Sequence, residues 1–458
     1  MNRTEIIALA RDIFKQTWPM VFGILSLMSF QLADSAFISQ LGVLPLAAQG
    51  FTMPLQMLVI GLQVGLGIAT TAVISRMLGQ KKDNRARQIG GLVIIMGAVG
   101  VFVIALIMWF MRQQILTLLG ASADVNPYIN QYWPTWLCSA WLGAMLYFTY
   151  SICRSHGNNF LPGILMMATS IINIALDPIF IFYFDLGLQG AAIATICSFS
   201  IGMFIILPKL VNKNWISFDW ASLPVWKSIK EVNAIMTPAM MGQLLPPLAS
   251  VFVTKIVAVF GAAAVAGWAM ASRIEFFTLV VVLALTMSLP PMVGRLYGAK
   301  DCTKIISLVK IVVIFSLLLQ AILAALLFVF AAPLASFFSA DSQVQSVIYQ
   351  YLLLVPISLG SLGVCMLMVS VCNSLEMPMR ALLISTLRLF LCYLPVVWIA
   401  SQLWLLEGVI IGAMLGNALA GLMAWSLYYH AIKKMKPAVP EIEPVLKPNL
   451  DLKTSRGK

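Results

Sequence analysis

Apolar runs of about 20 residues recur from one end of this chain to the other, each long enough to cross a ~30 Å hydrocarbon core as a helix. We read spans at 14–38, 48–75, 91–113, 125–152, 160–183, 187–208, 234–259, 264–292, 306–332, 345–371, 379–402 and 408–430. Lipid offers no partner to a bare N–H or C=O, so a spanning segment is either a helix or part of a closed barrel. Barrel strands alternate in polarity over about ten residues, and no such alternation repeats here. The fold class is therefore an all-α polytopic membrane protein of twelve transmembrane helices. Its composition, 61% apolar and 10% charged over 458 residues, excludes a soluble domain of this size.

A formal net charge of +12 would suit a nucleic-acid binder only if the basic residues shared one soluble face. They follow the connections instead. Arg76, Lys81, Lys82, Arg85 and Arg87, then Arg154, then Lys209, Lys213, Lys227 and Lys230, then Arg295, Lys300 and Lys304, and finally Arg380 occupy one set. The alternate set carries Arg112 alone. By the positive-inside rule the first set is cytoplasmic, which places both termini there. Arg3, Arg11, Asp12 and Lys15 run straight into the first span with no small-residue cleavage site, so that span is expected to stay attached. The cysteines, among them Cys138, Cys153, Cys197, Cys365 and Cys372, sit mostly within spans and lack metal-ligand spacing; they read as packing residues. Gly61, Gly65 and Gly67 read as a helix-contact strip, and no P-loop lysine motif accompanies them, so nucleotide hydrolysis is not expected.

Laid against itself, the sequence repeats at about 217–219 residues. Trp18-Pro19-Met20-Val21-Phe22-Gly23 matches Thr237-Pro238-Ala239-Met240-Met241-Gly242, and Arg76-Met77-Leu78-Gly79 matches Arg295-Leu296-Tyr297-Gly298. Gln131-Tyr132 likewise matches Gln350-Tyr351. Each copy has six spans, an even number, so the two enter the membrane from the same side and are related by a pseudo-two-fold axis along its normal. The expected organisation is an N-terminal lobe at 1–208, an interfacial cytoplasmic linker at 209–233, a C-terminal lobe at 234–432 and a disordered tail at 433–458.

Asp34, Asp177 and Glu275 are the acids inside apolar spans, where a central charge costs about 2.5–3.5 kcal/mol on insertion scales. At 1.5 Å per residue Asp34 stands ~22 Å above Pro19, and Asp177 ~25 Å above Phe160. Tyr132 and Thr195, counted down from the opposite face, reach a similar level, and Asn173 lies one turn below Asp177. These five polar groups point to one pocket. Under the repeat Asp34 maps to Val253, Asp177 to the neighbourhood of Leu394 and Thr195 to Ala413, while Tyr132 alone keeps a counterpart, Tyr351. Acids present in one copy only serve a solute or ion better than they serve a shared fold. In the second copy Glu275, Lys255, Arg273 and Arg388 are secondary candidates, with a Glu275–Lys255 ion pair as the structural reading. Pro19 is either a hinge in the helix that carries Asp34 or a tolerated first-turn proline. Met20, Met28, Phe30, Tyr147, Tyr150 and Met166 offer an adaptable wall for flat cations or ordinary packing.

Trp18-Pro19 with Asp34, Arg154-Ser155-His156-Gly157-Asn158 and Asn173-x3-Asp177-Pro178, set in two six-helix repeats, resemble the multidrug and toxic compound extrusion (MATE) family along essentially the whole chain. The acidic pair in the first lobe is similar to the DinF-like branch, whose N-lobe cluster would here be Asp34, Asp177, Asn173, Thr195 and Tyr132. The resemblance implies a monomeric antiporter of the bacterial inner membrane. It would export cationic amphipathic compounds in exchange for H⁺ or Na⁺ and use no cofactor, with the first helix bending at Pro19 on protonation. Its partners would be small organic cations and membrane lipid, with neither nucleic acid nor nucleotide. The alternative is a lipid-linked oligosaccharide flippase, for which Lys255, Arg273 and Arg388 would form a cationic cleft.

Overall fold

The computed structural model describes residues 3–119 and 123–434, and these are helical nearly throughout, with no strand among them. The first lobe contains α1 (Arg3–Ser39), α2 (Val43–Gly79), α3 (Asp83–Phe110), the short α4 (Arg112–Leu118), α5 (Asn126–Ser155), α6 (Phe160–Pro178) and α7 (Gly187–Asn212). The second contains α8 (Val225–Ala258), α9 (Ala262–Thr278), α10 (Val280–Gly298), α11 (Cys302–Val329), α12 (Ala331–Phe338), α13 (Ser342–Leu354), α14 (Leu359–Ser374), α15 (Pro378–Leu387) and α16 (Leu394–Lys434). Several of these join into single crossings. A π-turn at Ile179–Tyr183 prolongs α6, α9 and α10 cross together, and a 3₁₀ turn at Val355–Ser358 links α13 to α14. A second π-turn, Arg388–Tyr393, joins α15 to α16, and α16 reverses at the non-helical pair Trp404 and Leu405. The result is twelve crossings. Hydropathy marks only the part of a helix that lipid covers, so α1 begins at Arg3 although its apolar run starts near residue 14.

The duplication reaches details that hydropathy does not show. Both lobes carry a short helix after their third crossing (α4 and α12) and a π-turn in their fifth. Left-handed backbone recurs in register: Gly42 with Gly261, Lys81 with Lys300, and Gly157 with Glu376.

The lobes touch at the end that carries the basic connections. There α2 and α10 cross backbone to backbone: a Cβ on Gly79 would lie 2.1 Å from the Arg295 carbonyl oxygen, and one on Gly298 2.1 Å from that of Arg76. The equivalent arginines exchange partners across the pseudo-axis. Arg76 of the first lobe donates to Glu376 and Glu231 of the second, with Arg85 on the other Glu231 oxygen at 3.0 Å. Arg295 of the second lobe donates to the Ser155 carbonyl of the first at 3.1 Å and lies against Gly157, the position that repeats as Glu376. Nearer mid-depth, Thr17 meets Ser288 at 2.8 Å, and Gly61 and Gly65 seat Leu244 and Met240 of α8. Of the expected strip, Gly67 faces Tyr147 within its own lobe. Toward the other end Met53, Met57 and Leu58 of α2 and Leu248 and Val251 of α8 are exposed. The lobes are closed at the basic end and parted at the opposite one.

The connection between lobes docks onto the start of α3. Ser217 N–H donates to the Arg87 carbonyl (3.0 Å), the Gln88 amide donates to Asp219 O (3.0 Å) and Ser222 Oγ (2.8 Å), and Trp220 Nε1 donates to Gln88 O (3.3 Å). Gly90 and Gly91 make room, since a Cβ on either would fall within 2.8 Å of the Trp215 or Ser217 carbonyl oxygen. The connection is a strap held to α3 by backbone and side-chain hydrogen bonds. Residues 435–458, nearly all of the expected tail, lie outside the described residues.

Candidate functional site

A cavity of about 410 Å³ opens in the first lobe, lined in part by Asp34 of α1, Gln49 and Thr52 of α2, Tyr132 of α5 and Thr195 of α7. Two turns in from the far end of α2, the Gln49 amide donates to Asp34 Oδ2 at 3.1 Å. Asp34 Oδ1 is occluded and has no partner among the described residues. Asp177 is fully buried on α6, behind this wall. With its amide turned so that nitrogen faces the carboxylate, Asn173 donates to Asp177 Oδ2 at 3.1 Å, while its oxygen lies 3.2 Å from Thr195 N and 3.1 Å from Thr195 Oγ1. Asp177 Oδ1 is left open. Asp34 lies within coulombic range of both Asp177 and Tyr132. Two carboxylates, each with a buried oxygen unpartnered among the described residues, have the chemistry to take up a cation or a proton. The five residues expected from the sequence therefore lie together.

Local sequence explains their placement. Pro178 removes one backbone donor immediately after Asp177, and the helix re-registers into the π-turn Ile179–Tyr183. The Phe180 carbonyl then sits against Gly190, where a Cβ would approach to 2.6 Å, so α7 and Thr195 are drawn close. Gln49 and Thr52 escaped the sequence reading. Counting depth down from Gly42, as for Tyr132, would have placed Gln49 level with Asp34. On the aromatic and methionine wall, Phe30, Tyr147, Tyr150 and Met166 line the cavity together with Met53 and Met57. Met20 and Met28 do not: both are buried in the core.

Helix α1 passes unbroken through Pro19, far beyond its first turn, which removes the reading of Pro19 as a first-turn proline. Proline leaves the carbonyl one turn back without its helical donor. The wall there is backbone, since a Cβ on Gly163 of α6 would lie 2.4 Å from the Pro19 carbonyl oxygen. Pro19→Ala restores the missing donor and stiffens α1. If α1 bends here, gradient-driven transport should fall about fivefold or more, the low end of typical coupling energies, while the melting temperature stays level or rises; unchanged transport would remove the hinge role.

In the second lobe Glu275 accepts from the Tyr351 hydroxyl, beside Ser272, Arg388, Tyr393 and Asn417 around a cavity of about 180 Å³. The Glu275–Lys255 ion pair does not form: Lys255 lies near the far end of α8 and lines a separate recess. Arg273 is exposed, and a two-residue offset turns it away from Glu275. The basic candidates do not converge on one cleft.

The MatE family pattern matches this chain twice, over residues 19–179 and 238–399, and so falls once on each lobe. The chain belongs to the MATE family. It is a secondary transporter and not an enzyme. A solved structure of the Vibrio cholerae MATE transporter VcmN in the bent form is 56% identical to this MATE chain, covers 94% of it and 99% of its own length, and superposes with a TM-score of 0.93. Among curated relatives, the FAD transporter of Shewanella oneidensis is 29% identical over 94% of this chain and 96% of its own. The multidrug export protein MepA of Staphylococcus aureus is 25% identical over 90% and 89%.

Proposed function

We propose that this MATE protein is a DinF-like antiporter of the bacterial inner membrane that exports cationic amphipathic compounds in exchange for H⁺ or Na⁺, with the basic end and both termini in the cytoplasm. One observation carries the reading: Asp34 lies on the wall of a chamber with one carboxylate oxygen unpartnered, and a second acid, Asp177, is buried just behind it. A coupling cation and an organic cation compete for that negative charge. Entry of the coupling ion from outside neutralises Asp34 and expels the substrate. Loss of the ion to the cytoplasm restores the site, and the competition is the antiport. Pro19 lets α1 bend as Asp34 changes charge, and the crossed arginines hold the cytoplasmic end shut while the outer end is open.

The MepA relatives favour multidrug cations as substrates, whereas the name of the Shewanella relative favours a flavin dinucleotide. Both belong in the same assay. The flippase alternative loses support because Lys255 and Arg388 line different recesses.

Proteoliposomes with an imposed pH gradient and, separately, an imposed Na⁺ gradient test the proposal. Uphill movement of a fluorescent organic cation with at least one gradient is expected, together with counterflow of that ion. Flux indifferent to both gradients would overturn it, and uphill FAD movement without cation movement would replace the substrate class.

A further inference from the structure

A recess of the second lobe is separate from the cavity that holds Asp34. It holds about 620 Å³ between α8 and the start of α16, lined by Phe252, Lys255, Val259, Pro395, Trp398 and Gln402 among others. It faces outward: Phe252, Val259 and Trp398 are each more than half exposed. On α8 Phe252, Ile256 and Val259 lie roughly a quarter turn or more round the helix from the Met240–Leu244 edge that packs against α2, while Lys255 stays close to that edge. The π-turn Arg388–Tyr393 followed by Pro395 holds the start of α16 off α8 and leaves the gap.

Its polarity is graded along the membrane normal. Lys255 lies one turn from the end of α8, and Gln402 lies just before the reversal at Trp404 and Leu405, so both polar groups stand at the interface opposite the basic end. Below them Phe252 and Pro395 continue into the hydrocarbon zone. Lys255 makes no ion pair among the described residues. It is also a departure from the repeat, whose counterpart in α1 is Ala36. A cation at headgroup level above an apolar trough, with a tryptophan on its rim, matches a lipid with a negative head and an acyl chain.

We propose that this recess is a binding site for an anionic phospholipid, the phosphate held by Lys255 and Gln402 and one acyl chain lying along Phe252, Val259 and Pro395. The site is independent of the substrate chamber and exists whether or not the coupling scheme holds.

Native mass spectrometry of the intact protein, purified and equilibrated with mixed vesicles of phosphatidylglycerol and phosphatidylethanolamine, reads the site directly. The wild type retains phosphatidylglycerol in preference. Lys255→Gln lowers that preference about fivefold, the worth of one basic residue near an anionic surface. Val259→Trp, an exposed position that fills the trough, lowers total retention of both lipids with Lys255 still present. Arg112→Gln, which removes another basic residue from the same side, changes neither. Equal retention of the two lipids by the wild type, or an unchanged preference in Lys255→Gln, overturns the proposal. So does displacement of the bound lipid by a transported cation.

Discussion

Asp34→Asn protein folds and reaches the membrane but loses gradient-driven efflux. Asparagine keeps the size of the side chain and can still meet the Gln49 amide that donates to Asp34 Oδ2 at 3.1 Å. It cannot change charge. Coupling energies between ligand sites run at about 1–3 kcal/mol, roughly 5–150-fold in affinity, so efflux of a fluorescent cation should fall at least about fivefold while the melting temperature moves little. Asp177→Asn loses less, because Asn173 already donates to one Asp177 oxygen and because Asp177 is not on the chamber wall. Gradient-driven efflux by Asp34→Asn at the wild-type rate would remove Asp34 from the mechanism.

Gly79→Leu should stop transport by a different route. Its Cβ would lie 2.1 Å from the Arg295 carbonyl oxygen and 3.0 Å from the Arg295 Cα, and backbone cannot rotate out of the way. Overpacking of this kind costs about 1–3 kcal/mol. Here the cost falls only on the state in which α2 and α10 touch, so it shifts the balance between conformations and leaves each lobe intact. In a background depleted of native cysteines, a cysteine at Ser75, buried against Gly294 of α10, should resist a thiol reagent in otherwise wild-type protein and react readily alongside Gly79→Leu. Equal reactivity would show that this crossing is not the closure. Replacing Arg76 with alanine should have a smaller effect of the same sign, because the glycine contact survives.

Much of this architecture is legible in the sequence. Apolar length gives the twelve crossings and the aligned motifs give the duplication, because both are local properties repeated in order. The acidic pair was legible from depth alone: Asp34, Asp177, Tyr132 and Thr195 reach one level when residues are counted along straight helices from either face. Three kinds of feature were hidden. Gln49 carries no charge and so did not register as a cost in lipid, although it is the side chain that meets Asp34. Glu275 was given the wrong partner because sequence distance does not show which face of α8 carries Lys255; the Tyr351 phenol takes that role. The crossed pairs Arg76–Glu376 and Arg295–Ser155 join residues far apart in the chain. Their symmetry was half visible in the aligned arginines, but the partners appear only once the lobes meet.

Direct proton counting tests the claim that one carboxylate serves both substrate and coupling ion. Purified protein in weak buffer is mixed with a saturating organic cation, and the pH is followed with an indicator dye. If substrate and proton compete for Asp34, binding releases protons from wild-type protein, Asp34→Asn releases none, and Glu275→Gln releases as many as the wild type. Undiminished release from Asp34→Asn, or release abolished by Glu275→Gln instead, would contradict the assignment of the exchange site to the first lobe.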